Sequence, residues 1–148
     1  MQDDRIEALI DAIENSTRRE ILRELTSFSS YATELSRLVG VSQQAINKHL
    51  FLLEKANLIH LVADSENGRK KIYIPSGFSS LIIDYSKNFF FVTKKDIYDD
   101  AENTPDLDEG SSLIDQLREV EGRIDSVTNE RMKFLRLKDR IMERIHSR

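Results

Sequence analysis

Gln43, Gln44, Asn47 and Lys48 are hydrogen-bonding side chains whose spacing places them on one side of a helix. A carboxamide holds a donor and an acceptor side by side, so glutamine and asparagine can pair bidentately with an adenine edge. A lysine among them can reach a guanine or a phosphate. Ser42, just before them, is a helix-capping residue, and the open N–H groups of a helix start suit a phosphate oxygen. Arg69, Lys70 and Lys71 form a basic triplet further on. Cations of that kind lie along a phosphate backbone or a minor groove and add affinity more than specificity. Other chemistries find no footing. The chain has no cysteine, which excludes disulfides, thiolate metal sites and a thiol nucleophile. Its three histidines, His49, His60 and His146, lie far apart, which argues against a metal site. No glycine-rich phosphate loop or nucleophile–base signature is visible, so the reading is a protein that is not an enzyme and needs no cofactor.

The 148 residues are 39% hydrophobic and 32% charged, a globular composition rich in surface charge. No apolar run approaches the ~18 residues that span a bilayer, and the start MQDDRIEALI is no signal peptide, so a cytoplasmic protein without membrane contact is expected. The net charge of −4 is unevenly spread. Residues 1–95 hold 13 basic and 12 acidic side chains, and residues 96–148 hold 9 and 14. Residues 37–71 alone hold six basic against three acidic. Any basic surface is therefore local, and an acidic total does not exclude a nucleic-acid partner.

The elements that must position these groups follow from periodicity. Ile6, Leu9, Ile10 and Ile13 predict a helix over 4–14, and Ile21, Leu22 and Leu25 a second over about 17–27, with Asn15-Ser16 as its cap. Ser27–Ser30 reads as a turn. A third helix, about 32–39, turns Leu35, Leu38 and Val39 inward and ends at Gly40, a residue free to take positive φ. Ser42 then caps a fourth helix over 43–56, with Ala45, Ile46, Leu50, Leu53 and Ala56 on its buried side. Leu58–Ala63 and Ile72–Ile74 are strand candidates around Asn67-Gly68, a strong hairpin signal. Helix, tight turn, capped helix, strand, turn, strand is the order of a helix-turn-helix followed by a β wing, whose second helix fits the major groove of double-stranded DNA. Ser36 is the small residue where the two helices cross closely.

Two residues of the fourth helix stand apart. His49 lies at the edge of the buried side and reads as a hydrogen-bonded structural histidine. Phe51 points from the centre of the polar side, where it either packs on a neighbouring element or touches a thymine methyl or a partner subunit.

Leu81–Tyr85 and Phe89–Thr93 read as a second hairpin joined by Ser86–Asn88, with a helix as the competing reading. Its apolar residues fall on both faces, so it needs cover from the first helix, the C-terminal helix or a second chain. A ligand pocket among Tyr85 and Phe89–Phe91 is a lesser reading. Residues 96–110 hold seven acids and no base, the composition of a solvated linker. From Ser111 to His146 a heptad stripe runs through Leu113, Leu117, Val120, Ile124, Val127, Phe134, Ile141 and Ile145, a coiled-coil pattern expected to dimerise the chain. Arg131 and Lys138 interrupt the stripe, where cations set register or orientation. Leu135, Leu137 and Met142 beside it suggest packing of more than two surfaces, as in a dimer folding back on its winged domains.

With these motifs in view, VSQQAINKHLFLLEKANLI (41–59) resembles the recognition-helix segment of the ArsR-type winged-helix transcription regulators. NSTRREILREL (15–25) resembles their preceding helix and NGRKKIYI (67–74) their wing, so the likeness covers roughly residues 5–75. The resemblance implies a dimeric regulator on a two-fold operator. It implies DNA contacts at Gln43, Gln44, Asn47, Lys48 and Arg69 to Lys71, and a phosphate contact at Thr33. The chain departs from the metal-sensing members, because its third helix, ATELSRLVG, has no cysteine or histidine. Its C-terminal half looks more like archaeal winged-helix regulators with an added dimerisation helix.

The expected architecture is mainly α with small antiparallel β. It comprises a winged helix-turn-helix domain with trailing hairpin (1–95), an acidic linker (96–110) and a coiled-coil helix (111–148). The expected function is sequence-specific binding of double-stranded DNA by a homodimeric regulator, most simply a repressor, with helix 43–56 in the major groove and the wing 65–71 on backbone or minor groove. Ser42 belongs with the contact residues. A non-specific architectural DNA binder and a winged-helix protein-docking module are the alternatives. No small-molecule effector is assigned.

Overall fold

The computed structural model describes residues 2–27, 31–64, 71–77, 79–96 and 104–147. Residues 28–30 of the expected first turn, the Asn67-Gly68 turn, Arg69 and Lys70, and residues 97–103 of the expected linker lie outside the described residues. The chain divides into two compact units, Met1–Ser79 and Ser80–Arg148. The expected division put the second hairpin with the winged helix up to residue 95. The structure instead groups that hairpin with the C-terminal helix, for reasons given by its contacts below.

The first unit holds helices α1 (Gln2–Ile13), α2 (Ser16–Ser27), α3 (Ala32–Val39) and α4 (Gln43–Lys55), then strands β1 (Ile59–Asp64) and β2 (Lys71–Pro75). Ile21, Leu25, Leu35, Ile46, Leu50, Leu53, Ile59 and Tyr73 are buried together, one cluster fed by three helices and both strands. The α1 stripe buries Ile6, Leu9 and Ala12. Each fully buried Leu or Ile contributes roughly 1.5–3 kcal/mol relative to exposure, so this cluster outweighs any single polar contact in the unit. Asn15 caps α2 as expected, its Oδ1 accepting from the Arg18 N–H at 3.1 Å.

The turn between α3 and α4 is built as its residues suggest. Gly40 sits at φ 79°, a left-handed conformation free for glycine, and its N–H donates to the Ser36 carbonyl at 2.9 Å. The Ser36 hydroxyl donates across the turn to the Val41 carbonyl at 2.5 Å. The other end of α4 closes on a non-glycine residue. Asn57 takes φ 59°, its N–H reaches the Glu54 carbonyl at 2.9 Å, and the Leu58 N–H reaches the Leu53 carbonyl at 3.0 Å. This is a Schellman closure, with Leu58 packed on the core beyond it. β1 and β2 pair antiparallel from Ile59↔Pro75 to Asp64↔Lys71, with a register shift between Leu61 and Ala63. Val62 is the extra residue there, and such a bulge bends and twists the ribbon.

The second unit holds β3 (Ser79–Tyr85, from Ser80), β4 (Phe90–Asp96) and α5 (Leu113–His146). The pairing of β3 with β4 settles the choice between hairpin and helix for this stretch. Its turn is tied by Ser86, whose Oγ accepts from the Asn88 and Phe89 N–H groups at 3.0 and 3.3 Å. The hairpin docks on the C-terminal half of α5. Arg131 forks onto the Asp84 carboxylate, with one N–H at 2.9 Å. Asn88 donates to the Asp139 carboxylate at 2.9 Å, and Lys87 pairs with Glu143 at 2.5 Å. The Lys138 ammonium lies 3.8 Å from the Phe91 ring centroid and 4.8 Å from that of Phe89. A groove of about 570 Å³ between hairpin and helix includes Tyr85 and Phe89, part of the lesser pocket reading. Arg131 and Lys138 therefore have partners inside the chain at the two stripe positions they interrupt.

α5 is 34 residues long, about 51 Å at 1.5 Å per residue, and buries no residue. Leu113, Leu117, Val120, Ile124, Val127, Phe134, Ile141 and Ile145 are all at least half exposed. Ahead of it, Asp108 organises the turn into the helix: its carboxylate accepts from the Gly110 N–H and the Ser111 hydroxyl, and Gln116 bonds its backbone N–H and carbonyl. Among the described residues no helix is long and apolar enough to cross a membrane.

Candidate nucleic-acid interface

The site is built on α4. Ser42 takes an extended conformation (φ −65°, ψ 154°) and its Oγ accepts from the Ala45 N–H at 3.2 Å, the expected cap. Burying Ile46, Leu50 and Leu53 fixes the rotation of the helix about its axis. Gln43, Gln44, Asn47 and Lys48 are then all exposed on the outward side. The polar and apolar sides of α4 thus fall where its sequence spacing divides them.

A cleft of about 460 Å³ lies along one edge of this surface. Tyr31, Ala32 and Thr33 at the start of α3 form one wall. Gln43, Asn47, Phe51 and Glu54, one stripe of α4, form the next, and Lys71 and Tyr73 of β2 close it. The fold thus gathers Thr33, Gln43, Asn47 and Lys71 around one concavity. Gln44 and Lys48 are exposed on the neighbouring stripe, and Ser42 at the helix start; none of the three lines the cleft. Arg69 and Lys70 lie outside the described residues. Phe51 is 63% exposed on the cleft wall, so it does not pack into the core. A cleft with amides, a hydroxyl, an ammonium and an aromatic edge suits a nucleic-acid strand with bases on one side and phosphates on the other. Glu54 repels phosphate and marks one limit of that surface.

Sequence reasoning passed over Arg18, which looks like an ordinary helix-surface residue in STRREIL. It is 8% exposed. Its Nε donates to the Ala12 carbonyl at 2.5 Å and one terminal nitrogen to the Asp11 carbonyl at 2.7 Å. The other lies 3.4 Å from His49 Nδ1. The signal was available, since Arg18 stands three and seven residues before Ile21 and Leu25 on the apolar stripe of α2. The cation is held by the C-terminal carbonyls of α1, where a helix dipole favours positive charge. His49 is the structural histidine expected from its place on the wheel. Burial, then the Arg18 charge, then Lys48 hold its pKa below the usual 6.5. The neutral ring can accept from Arg18; the protonated ring cannot. One arginine thus ties the ends of α1 and α2 to the middle of α4 and helps set the pitch of the outward face.

Among the described residues no group of three or more His, Cys, Asp or Glu is placed to hold a metal.

Comparison with known proteins places the first unit. The family described as "Helix-turn-helix domain" matches residues 13–62. No curated protein matches the chain. Among solved structures, HlyU from Vibrio cholerae N16961 is 26% identical with a TM-score of 0.45, over 50% of this chain and 77% of that one. NolR from Sinorhizobium fredii is 27% identical with a TM-score of 0.45, over 50% and 71%. An ArsR-like transcriptional regulator from Rhodococcus sp. RHA1 is 22% identical with a TM-score of 0.46, over 90% and 88%. The matched residues run from the end of α1 through α2, α3 and α4 into β1. With β2 paired to β1 as the wing, the first unit of this chain is a helix-turn-helix followed by a β wing, and its residues 13–62 match the helix-turn-helix family.

Proposed function

We propose that this chain is a cytoplasmic, sequence-specific transcription regulator that binds double-stranded DNA as a homodimer. α4 enters the major groove and the wing lies on the flanking backbone or minor groove. Repression by occupying the operator is the simplest mode, because it asks nothing of the protein beyond binding. The observation that carries the reading is the exposed quartet Gln43, Gln44, Asn47 and Lys48 on the second helix of a matched helix-turn-helix domain. Gln44 and Asn47 are assigned to base edges. Lys48, Lys71, Ser42 and Thr33 are assigned to phosphates, with Lys48 also within the reach of a guanine. Arg69 and Lys70 extend the wing's charge along the strand. α5 supplies the dimer, its exposed stripe from Leu113 to Ile145 facing a second copy, and the dimer sets the spacing of half-sites.

The test is selection of fragments from genomic DNA, then titration of the best fragment against a random one at ~150 mM salt. A preference of ~10³-fold or more, lost in Gln44→Ala/Asn47→Ala, is the expected result. Near-equal affinity for both fragments overturns sequence specificity in favour of an architectural binder. Binding to neither overturns the DNA reading altogether.

A further inference from the structure

The homodimer proposed above leaves the direction of its helix pair open, and the charge on α5 decides it. From Leu113 to Glu130 the helix carries five acids and two bases; from Arg131 to His146 it carries six bases and two acids. The hairpin sharpens this contrast. Both acids of the basic half are engaged by it, Asp139 with Asn88 and Glu143 with Lys87. Lys133, Arg136, Arg140 and Arg144 stay exposed. The hairpin also covers only one flank of that half, leaving Phe134, Leu137 and Ile141 at least half exposed. At the other end, a groove of about 880 Å³ runs along Leu117, Val120 and Ile124, with Asp106, Asp108 and Glu119 on its walls. One end of the helix offers an apolar face rimmed by cations. The other offers an apolar groove rimmed by carboxylates.

We propose that α5 pairs antiparallel with α5 of a second copy, residues 113–120 in the acidic half of each lying on residues 131–138 in the basic half of the other. A parallel pair sets the net acidic half on the acidic half and the net basic half on the basic half, an overall repulsion that the antiparallel pair lacks. The heptad pattern also supplies a register. With Ile124 against the partner's Val127, Leu117 meets the partner's Phe134, and Ile114 meets the partner's Leu135. Arg123 then meets the partner's Glu130, twice by symmetry. Arg123 is bonded to Glu119 at 3.0 Å, an exposed pair that is cheap to exchange. The cations at positions 131 and 138 stay with the hairpin, their stems covering the partner's Val120 and the partner's Leu113.

This inference rests on the homodimer reading, and the experiment separates the two. The full chain has no cysteine, so Asp115→Cys and Ser126→Cys each take a single spin label. In the antiparallel register, residue 115 lies about 31 Å along the axis from its copy, and residue 126 lies nearly level with its own. The expected pulsed-EPR result is a short distance, about 20 Å or less, at 126 and one beyond about 30 Å at 115. Short distances at both positions in a dimer overturn the antiparallel pairing and leave the homodimer standing. A monomer by light scattering at 100 µM or so overturns both, since a paired stripe of this length is stable at far lower concentration. A charge-swap cycle reads the register separately. Arg123→Glu and Glu130→Arg each raise the dimer Kd about tenfold, and together they return it to within about threefold of the parent. Additive weakening in the double variant overturns the register.

Discussion

Buried Arg18 and half-buried His49 form a pair whose proton balance has a defined sign. Burial beside a cation lowers the His49 pKa, so the folded chain binds fewer protons than the unfolded one as pH falls below about 6.5. The stability owed to neutral His49 is complete above that pH and is lost as pH falls through the folded-state value. Urea midpoints should therefore drop between pH 7 and pH 5 in the parent chain. In His49→Gln, whose amide oxygen can still accept from Arg18, that part of the drop should vanish. Phe51 is a different kind of residue. Its ring is mostly exposed beside Asn47 on the cleft wall, so Phe51→Ala should leave the melting temperature within about 3 °C. Operator affinity should fall about tenfold, from loss of an apolar contact with a thymine methyl. An unchanged affinity would make Phe51 a bystander. The place of Phe51 on the polar side was legible from its position on the helix wheel. The burial of Arg18 was legible only in hindsight, because composition favours a solvated arginine and only the stripe at 21 and 25 argues otherwise.

Elements were read well where periodicity and punctuation agreed. Gly40 and Ser42 mark the turn between α3 and α4, and the apolar spacing of α4 separates its buried side from its outward one. The C-terminal end of α4 shows what spacing misses. The left-handed residue there is Asn57, which no glycine signal announces. Asn57→Ala should cost about 1–2 kcal/mol in chemical unfolding, and Asn57→Gly should cost nothing or stabilise slightly. The hairpin of β3 and β4 was ambiguous because a short apolar run has no decisive period. Its cover was less legible still, since the pairs Asp84–Arg131, Lys87–Glu143 and Asn88–Asp139 join residues about 50 positions apart. The same pairs have an acid limit. The carboxyls of Asp84, bonded by Arg131, and of Asp139, bonded by Ser86 and Asn88, are held below their usual 3.8. Their contribution is present above that pH and lost as pH falls through the lowered values. The packing of the hairpin on α5 should therefore weaken as pH falls below 3.8, visible as reduced tertiary circular dichroism with the helical signal retained.

At the scale of the whole chain, the division at Ser79 and Ser80 decides how it can be cut. A chain ending at residue 79 keeps the winged core intact and should fold and stay monomeric. One ending at residue 110 strips α5 from Phe89 and Phe91 and should aggregate. Charge acts at this scale too: Lys48→Ala and Lys71→Ala should each lower the slope of log affinity against log salt by about one, with little change in sequence preference. The acidic total conceals this, because the basic excess is local, six bases against three acids over residues 37–71 in a chain of 22 bases and 26 acids. The stripe on α5 has a further consequence for dosage. Among the described residues the stripe from Leu113 to Ile145 is at least half exposed, and in the homodimer proposed above it is covered only when two chains collide. Below the dimer dissociation constant, dimer abundance rises as the square of chain abundance. On the proposed dimeric reading, doubling the stock of chain in that range quadruples the species able to hold both half-sites.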